Sequence, residues 1–288
     1  MFGRDHLKKP DWLKVRIPSG DGYKSIYRTL EEHHLSTVCQ EARCPNIAEC
    51  WREKSATVMI LGKVCTRACR FCAVSTGNPK GVVDPDEPGH VAGVIRSLGL
   101  KYVVITSVDR DDLEDFGSNH YAETIRKLNE ENPGIKVEAL IPDFGSNEEF
   151  LKVILDTQPY VVGHNMETVR RLTPHIRDRR CSYEGSLNVL KKCHELNGSV
   201  LTKSGLMVGL GETTGEISET LMDLKLAGVR IVTIGQYLQP TRKHLPVQKY
   251  YTPDEFNEFG RIGKKLGIGY VMSGPLVRSS YHAAEMFQ

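Results

Sequence analysis

Along the middle of the chain, short apolar and β-branched runs alternate with longer stretches of helical spacing. Residues 57–61, 102–106, 136–141, 160–162, 206–208 and 231–234 read as strands, and residues 90–98, 119–131, 147–156, 168–172, 183–196 and 216–226 as helices. Ser146, with Glu149 three positions later, reads as a capping box, and Gly198 and Gly228 stand where helix C-terminal caps are expected. Short strands separated by 10–15-residue helices predict a parallel sheet with right-handed crossovers. Six such units are too few for an eight-fold barrel. The expected fold is therefore α/β, an open, partial (β/α)6 TIM-like barrel, with its chemistry in the loops that follow the strands. The expected division is an N-terminal extension (1–56), the partial barrel (57–252), and a C-terminal part (253–288) with a last helix at 253–266 and the segment SGPLVRSSYHA. No internal repeat or low-complexity stretch interrupts this pattern.

Composition narrows the function classes. The 288 residues are 40% hydrophobic and 26% charged, with a net charge of +2, which suits a globular enzyme better than a broad nucleic-acid surface. The basic residues Arg177, Arg179, Arg180, Lys191 and Lys192 read as solvated helix faces. No run approaches the ~18 apolar residues of a membrane span, and the first thirty residues carry no apolar signal core. A cytoplasmic protein with neither nucleic-acid nor membrane partners is expected. With eight cysteines and no export signal, metal binding or catalysis is the better expectation than disulfides.

Six of those cysteines form two triplets. Cys65, Cys69 and Cys72 lie in CTRACRFC, directly after the first strand. Three thiolates on one short loop can hold three corners of a [4Fe–4S] cube and leave the fourth iron open to a substrate or cofactor. A zinc site is the alternative, although zinc usually takes paired cysteines. Phe71 can shield such a cluster or simply pack in the core. Cys39, Cys44 and Cys50 lie in CQEARCPNIAEC, with a turn at Pro45 and Asn46. These three again lack a fourth ligand. His33 and His34 precede them but read as surface residues, so a second cluster competes with three packed structural cysteines. Cys181 and Cys193 have no assigned role, and Cys193 reads as a small packed residue on a helix.

The CxxxCxxC loop after the first strand resembles the radical S-adenosylmethionine superfamily. Within it, CQEARCPNIAECW, VVITSVDRDDLEDFG, TKSGLMVGLGET, TIGQYLQPT and GPLVRSSYHA resemble the lipoyl synthase family over residues 10–284. Two positions depart from that pattern: Phe116 replaces one of two adjacent glycines, and Gly163 stands where a polar residue is common. The resemblance implies an open iron that chelates S-adenosylmethionine and a 5′-deoxyadenosyl radical released by its cleavage. It also implies insertion of two sulfur atoms at carbons 6 and 8 of an octanoyl chain on a carrier lysine, with the second [4Fe–4S] cluster consumed as sulfur source. By the same resemblance Ser280, in Arg278-Ser279-Ser280-Tyr281, is the fourth ligand of that cluster. An alkoxide is a harder, poorer match for such iron than a thiolate; without the resemblance these serines read as a polar turn.

The resemblance implies Asn165 and Glu167 of HNMETV, after the fourth strand, as cofactor-side residues; from the residues themselves, Arg110 of SVDRDD, after the second, can pair with a carboxylate of the cofactor, and Gly209 of GLGET, after the fifth, lets the backbone approach its adenine or ribose. From the residues alone, Asn165 serves equally as a helix cap and GLGET as a plain loop. The role of the loop between Pro240 and Pro246 is open. The implied partners are octanoylated lipoyl domains of 2-oxoacid dehydrogenase E2 proteins and the glycine-cleavage H protein, a reductant such as ferredoxin or flavodoxin, and a carrier that rebuilds the consumed cluster. Another sulfur-inserting radical enzyme and a zinc-stabilised binding module are the competing readings.

Overall fold

The computed structural model of the chain describes residues 7–14, 27–28, 36–41, 44, 46–52 and 57–280. The readings placed on His33, His34, Pro45 and Tyr281 lie outside these residues. In chain order the strands are β1 (Ser36–Thr37), β2 (Thr57–Ile60), β3 (Tyr102–Ser107), β4 (Lys136–Leu140), β5 (Val161–Gly163), β6 (Leu201–Val208), β7 (Ile231–Gln236) and β8 (Tyr270–Gly274). The helices are α1 (Val38–Glu41), α2 (Ile47–Arg52), α3 (Glu87–Leu98), α4 (Ser118–Glu131), α5 (Glu148–Leu155), α6 (Thr173–Ile176), α7 (Tyr183–Leu196), α8 (Thr214–Leu226) and α9 (Pro253–Lys265). A two-residue parallel ladder pairs Val64 with Ser75 and Cys65 with Thr76. The chain forms two compact units, one from the described residues of 16–67 and 74–162, the other from those of 1–15, 68–73 and 163–281.

In the first unit β2 pairs with β3 and β3 with β4, all parallel, while β1 runs antiparallel along β2. Val58, Ile60, Val103, Ile105, Val137 and Ala139 are all buried. Strands covered on both faces need continuous apolar runs, which is why they were legible as such. Helix α3 begins at Glu87, earlier than its apolar spacing suggests, because Pro88 is accommodated in the first turn. The Glu87 carboxylate also accepts the Leu61 N–H at 2.8 Å, which ties that turn to the end of β2. Ser146 is not the cap of α5. It sits at φ +57, and Asn147 caps instead, accepting the Glu149 N–H at 2.9 Å. Phe116 stands at φ +54, a left-handed conformation that glycine adopts without cost and an aromatic residue does not. That is the physical content of its departure from the two-glycine pattern.

In the second unit β6, β7 and β8 are parallel neighbours, with Lys203 and Tyr270 both opposite Ile231. Strand β6 begins five residues before its apolar run, since Thr202, Lys203 and Ser204 are buried polar residues within it. Leu206, Val232, Leu221 and Leu224 join one apolar cluster with Tyr251, Phe256 and Phe259; the last three rings meet edge to face at 5.2–6.3 Å. Residues 168–172 are not helical. Glu167 adopts φ +66 and bridges to Leu206 in strand fashion, so the helix waits until Thr173, where Pro174 fits its first turn. Gly198 lacks the positive φ of a helix cap, whereas Gly228 has it at +83. The pairs β2–β3, β3–β4, β6–β7 and β7–β8 are all parallel, so the α/β class and the strand–helix alternation hold.

Candidate functional site

The CTRACRFC loop divides between the two units after Arg67. In the first unit the Cys65 thiol lies 3.6 Å from Asp109 Oδ2, and Cys65 Sγ accepts the Arg67 N–H at 3.4 Å. Thr66 N donates to Asp109 O at 3.0 Å, and the Thr66 hydroxyl has both Asp109 O and the Asp111 carboxylate within reach of its one proton. The Arg67 guanidinium, only 5% exposed, meets three carboxylates: Asp143 at 2.7 Å, Asp111 at 2.9 Å and Asp109 at 3.3 Å. Burial works against the Arg67 charge, but the bonds to Asp143 and Asp111 overrule it. Desolvation pushes the Asp109 carboxyl up to about 6, with Arg67 pulling the other way. SVDRDD therefore folds onto the cysteine loop. Arg110, 1% exposed, is engaged by Asp112 at 2.8 Å and by the carbonyls of Leu61 and Val82, so it fastens the loop that carries these acids.

In the second unit the segment after α6 cradles the rest of the cysteine loop. Arg70 N donates to Ile176 O at 2.9 Å and its guanidinium to His175 O, while the Asp178 carboxylate accepts the Ala68 N–H at 2.9 Å. Asp178 N donates to Cys69 Sγ at 3.3 Å. From the other side, His244 Nε2 pairs with Cys72 O at 2.8 Å, and Leu245 N donates to Arg70 O at 3.3 Å. This gives the loop between Pro240 and Pro246 a role that its residues alone did not reveal. Phe71 packs against the apolar cluster of this unit. None of the eight cysteines is disulfide-bonded, and Cys65, Cys69 and Cys72 are half-buried.

Backbone N–H groups aimed at Cys65 and Cys69 sulfur stabilise the charged form of each. Such bonds are characteristic of iron–sulfur ligation, and the donor set therefore fits a cluster. Among the described residues no three His, Cys, Asp or Glu side chains close around one point as a single metal ion requires; thiolates on a cube bind separate irons.

In the same unit as Cys69, the HNMETV segment presents Asn165 and Glu167. Asn165 lies against Gly205, where a Cβ would come within 2.8 Å of its Oδ1, so the close approach requires glycine there. Desolvation raises the Glu167 carboxyl above its ordinary range, against the pull of Arg177 and a hydrogen bond with Asn165. Arg177 is no solvated helix residue. It is 8% exposed, bonds Ser186 Oγ at 2.7 Å, and places its charge close to both Glu167 and Cys69. Its Nε is buried without a hydrogen-bond partner among the described residues, which suits an anionic ligand. Gly209, at φ +109, packs on Gln236 and the Lys249 carbonyl, and its N–H is accepted by the Glu212 carboxylate at 2.5 Å. Arg177, Asp178 and His244 are the residues that the sequence reading missed. The only signal was position: each lies in a connection between strands in the half of the chain that carries Asn165.

The second triplet belongs to the first unit. Cys44 N donates to Cys39 O at 3.0 Å, and Cys50 N to Asn46 O at 2.9 Å. Burial, with Cys44 close by, pushes the Cys39 thiol up to about 11, so Cys39 and Cys44 are brought together. Ser280 lies in a turn of the second unit, partly buried, six residues past β8.

A family model for the radical SAM superfamily matches residues 59–224, and one for the N-terminal domain of lipoyl synthase matches residues 3–44. The chain is 54% identical over 286 residues to the lipoyl synthase of Halorhodospira halophila, covering 99% of this chain and 86% of that one. It is 53% identical over 279 residues to the lipoyl synthase of Thermus thermophilus, covering 97% and 86%. Among solved structures, methylornithine synthase superposes with a TM-score of 0.55 at 11% identity, over 91% of this chain and 81% of that one. The FeFe-hydrogenase maturase of Carboxydothermus hydrogenoformans superposes with 0.56 at 13%, over 92% and 69%. These two speak for the fold alone, and it is the partial α/β barrel expected from the strand–helix alternation. With half its sequence shared with such enzymes over nearly its whole length, the chain belongs to the lipoyl synthases, radical S-adenosylmethionine enzymes of sulfur insertion that carry a [4Fe–4S] cluster.

Proposed function

We propose that this chain inserts two sulfur atoms, at carbons 6 and 8, into an octanoyl group amide-linked to a lysine of a carrier protein. Cys65, Cys69 and Cys72 hold the cluster that binds S-adenosylmethionine. Cys39, Cys44 and Cys50, on the extension of residues 1–56, hold a second [4Fe–4S] cluster together with Ser280 of the C-terminal part. When bound, the first cluster supplies the electron that cleaves S-adenosylmethionine to a 5′-deoxyadenosyl radical, and the second supplies the sulfur.

The observation that carries this reading is the cradle around Cys69. Asp178 aims an N–H at its sulfur, and Arg177 sets a buried, incompletely bonded guanidinium close to both it and Glu167. Asn165 and Glu167 orient the methionyl or ribosyl end of S-adenosylmethionine, and Arg177 offers its unmatched N–H to an anionic group there. Arg110 and Gly209 serve the same ligand through the loops they shape.

Octanoylated lipoyl domains of 2-oxoacid dehydrogenase E2 proteins and the glycine-cleavage H protein are the proposed substrates. Ferredoxin or flavodoxin is the reductant, a separate carrier rebuilds the second cluster, and the setting is cytoplasmic; among the described residues no helix is long and apolar enough to cross a membrane. The test is anaerobic reconstitution followed by incubation with an octanoyl-lysine peptide, S-adenosylmethionine and dithionite. About eight irons per chain, as two cubanes require, and a dithiolated peptide are expected. A zinc-loaded, colourless protein without product overturns the reading.

A further inference from the structure

Six cysteines belong to the two triplets, and Cys193 packs inside α7, 1% exposed. Cys181 remains. It is 7% exposed, and its thiol lies close to that of Cys69. The surrounding bonds hold the turn that carries Cys181 against Cys69. Cys181 N donates to Asp178 O at 2.9 Å, and Asp178 N donates to Cys69 Sγ at 3.3 Å. The Asp178 carboxylate holds Ala68 N at 2.9 Å and Arg180 Nε at 2.8 Å. The segment of residues 177–181 therefore surrounds one sulfur with a backbone N–H, a second thiol and the nearby Arg177 charge.

We propose that Cys181 is a positioning residue for the S-adenosylmethionine-binding cluster, donating its S–H to the Cys69 sulfur and thereby easing reduction of that cluster. The proposal rests on the reading of Cys69 as an iron ligand. A thiolate on iron carries no proton, so in a contact with Cys181 it can only accept. A hydrogen bond to a ligand sulfur stabilises the additional negative charge of the reduced cluster, and hydrogen bonds to sulfur are among the levers that set such potentials. A small packing residue at 181 would need no donor; an electronic role does.

The test is an EPR-monitored redox titration of the anaerobically reconstituted full chain with S-adenosylmethionine added, whose binding marks the signal of the cluster concerned. Cys181→Ala is expected to move the midpoint to a more negative potential, with about tenfold less reduced relative to oxidised cluster at the wild-type midpoint, ~59 mV for a one-electron couple. Cys181→Ser, which restores a donor, is expected to recover the wild-type midpoint. If the alanine variant assembles no cluster, Cys181→Ser is compared with Cys181→Val, close in volume but without a donor. Equal midpoints within either comparison, with cluster content intact, overturn the proposal. A ligand-responsive signal that survives Cys69→Ala instead overturns the reading of Cys69, and the proposal falls with it.

Discussion

At the scale of single residues, buried charge is concentrated on Arg67. Its three carboxylate partners leave the group net negative in a site with little water, and the guanidinium is what makes this tolerable. Arg67→Met is therefore expected to destabilise the chain by ~3–5 kcal/mol in denaturant unfolding, because it strands buried carboxylates. Adding Asp143→Asn should recover part of that loss; strictly additive losses would show that the residues are not coupled. None of this was legible in CTRACRFC or SVDRDD, where Arg67 and the acids stand more than forty positions apart. Arg177 teaches the same lesson. In RDRR it reads as a solvated charge, and only the turn after α6 carries it inward to Ser186. The cysteine triplets stand out in the sequence because one residue type recurs there at close spacing. Charges that act through the fold carry no such local signature.

At the scale of elements, apolar period and turn chemistry revealed most strands and helices. The exceptions have particular causes. Strand β6 hides its first half behind Thr202, Lys203 and Ser204, and the HNMETV segment loses its expected helix to the left-handed Glu167. The GLGET loop shows how an element end is secured. Glu212 accepts the N–H groups of Gly209 and Leu210, and Thr213 with Glu216 forms the capping box of α8. Gly209→Ala would press a Cβ to within 2.1 Å of Gln236 Nε2 and 2.6 Å of the Lys249 carbonyl at φ +109. A loss of about 2 kcal/mol or more in thermal unfolding is expected; an unchanged melting temperature would contradict this packing.

The same helix predicts a pH effect. The Arg171 guanidinium, bonded to it, holds the Glu216 carboxyl down to about 2, below its ordinary 4.5. A depressed carboxyl adds stability above its unfolded value and loses it as pH falls through its folded one. Glu216→Gln should thus be about 1 kcal/mol less stable than the parent at pH 6. The gap should close as pH falls from about 4.5 toward 2, and a gap that is constant over that range would refute the assignment.

At the scale of the whole molecule, the chain combines two cysteine sets of different spacing with an α/β scaffold, and in each unit loops hold the part of CTRACRFC that belongs to it. SVDRDD embraces the start of CTRACRFC, and the segment of residues 175–181 with the loop at His244 embraces its end. The proposed function depends on a division of labour between the two sets: one for cleaving S-adenosylmethionine, the other for supplying sulfur. It is tested most directly by measuring 5′-deoxyadenosine and thiolated octanoyl-lysine peptide in parallel, under anaerobic conditions, for Cys65→Ala and Cys39→Ala beside the parent chain. The account predicts neither product from Cys65→Ala, and 5′-deoxyadenosine without thiolated peptide from Cys39→Ala. Equal loss of 5′-deoxyadenosine in both variants, each folded and loaded with its remaining iron, would contradict it.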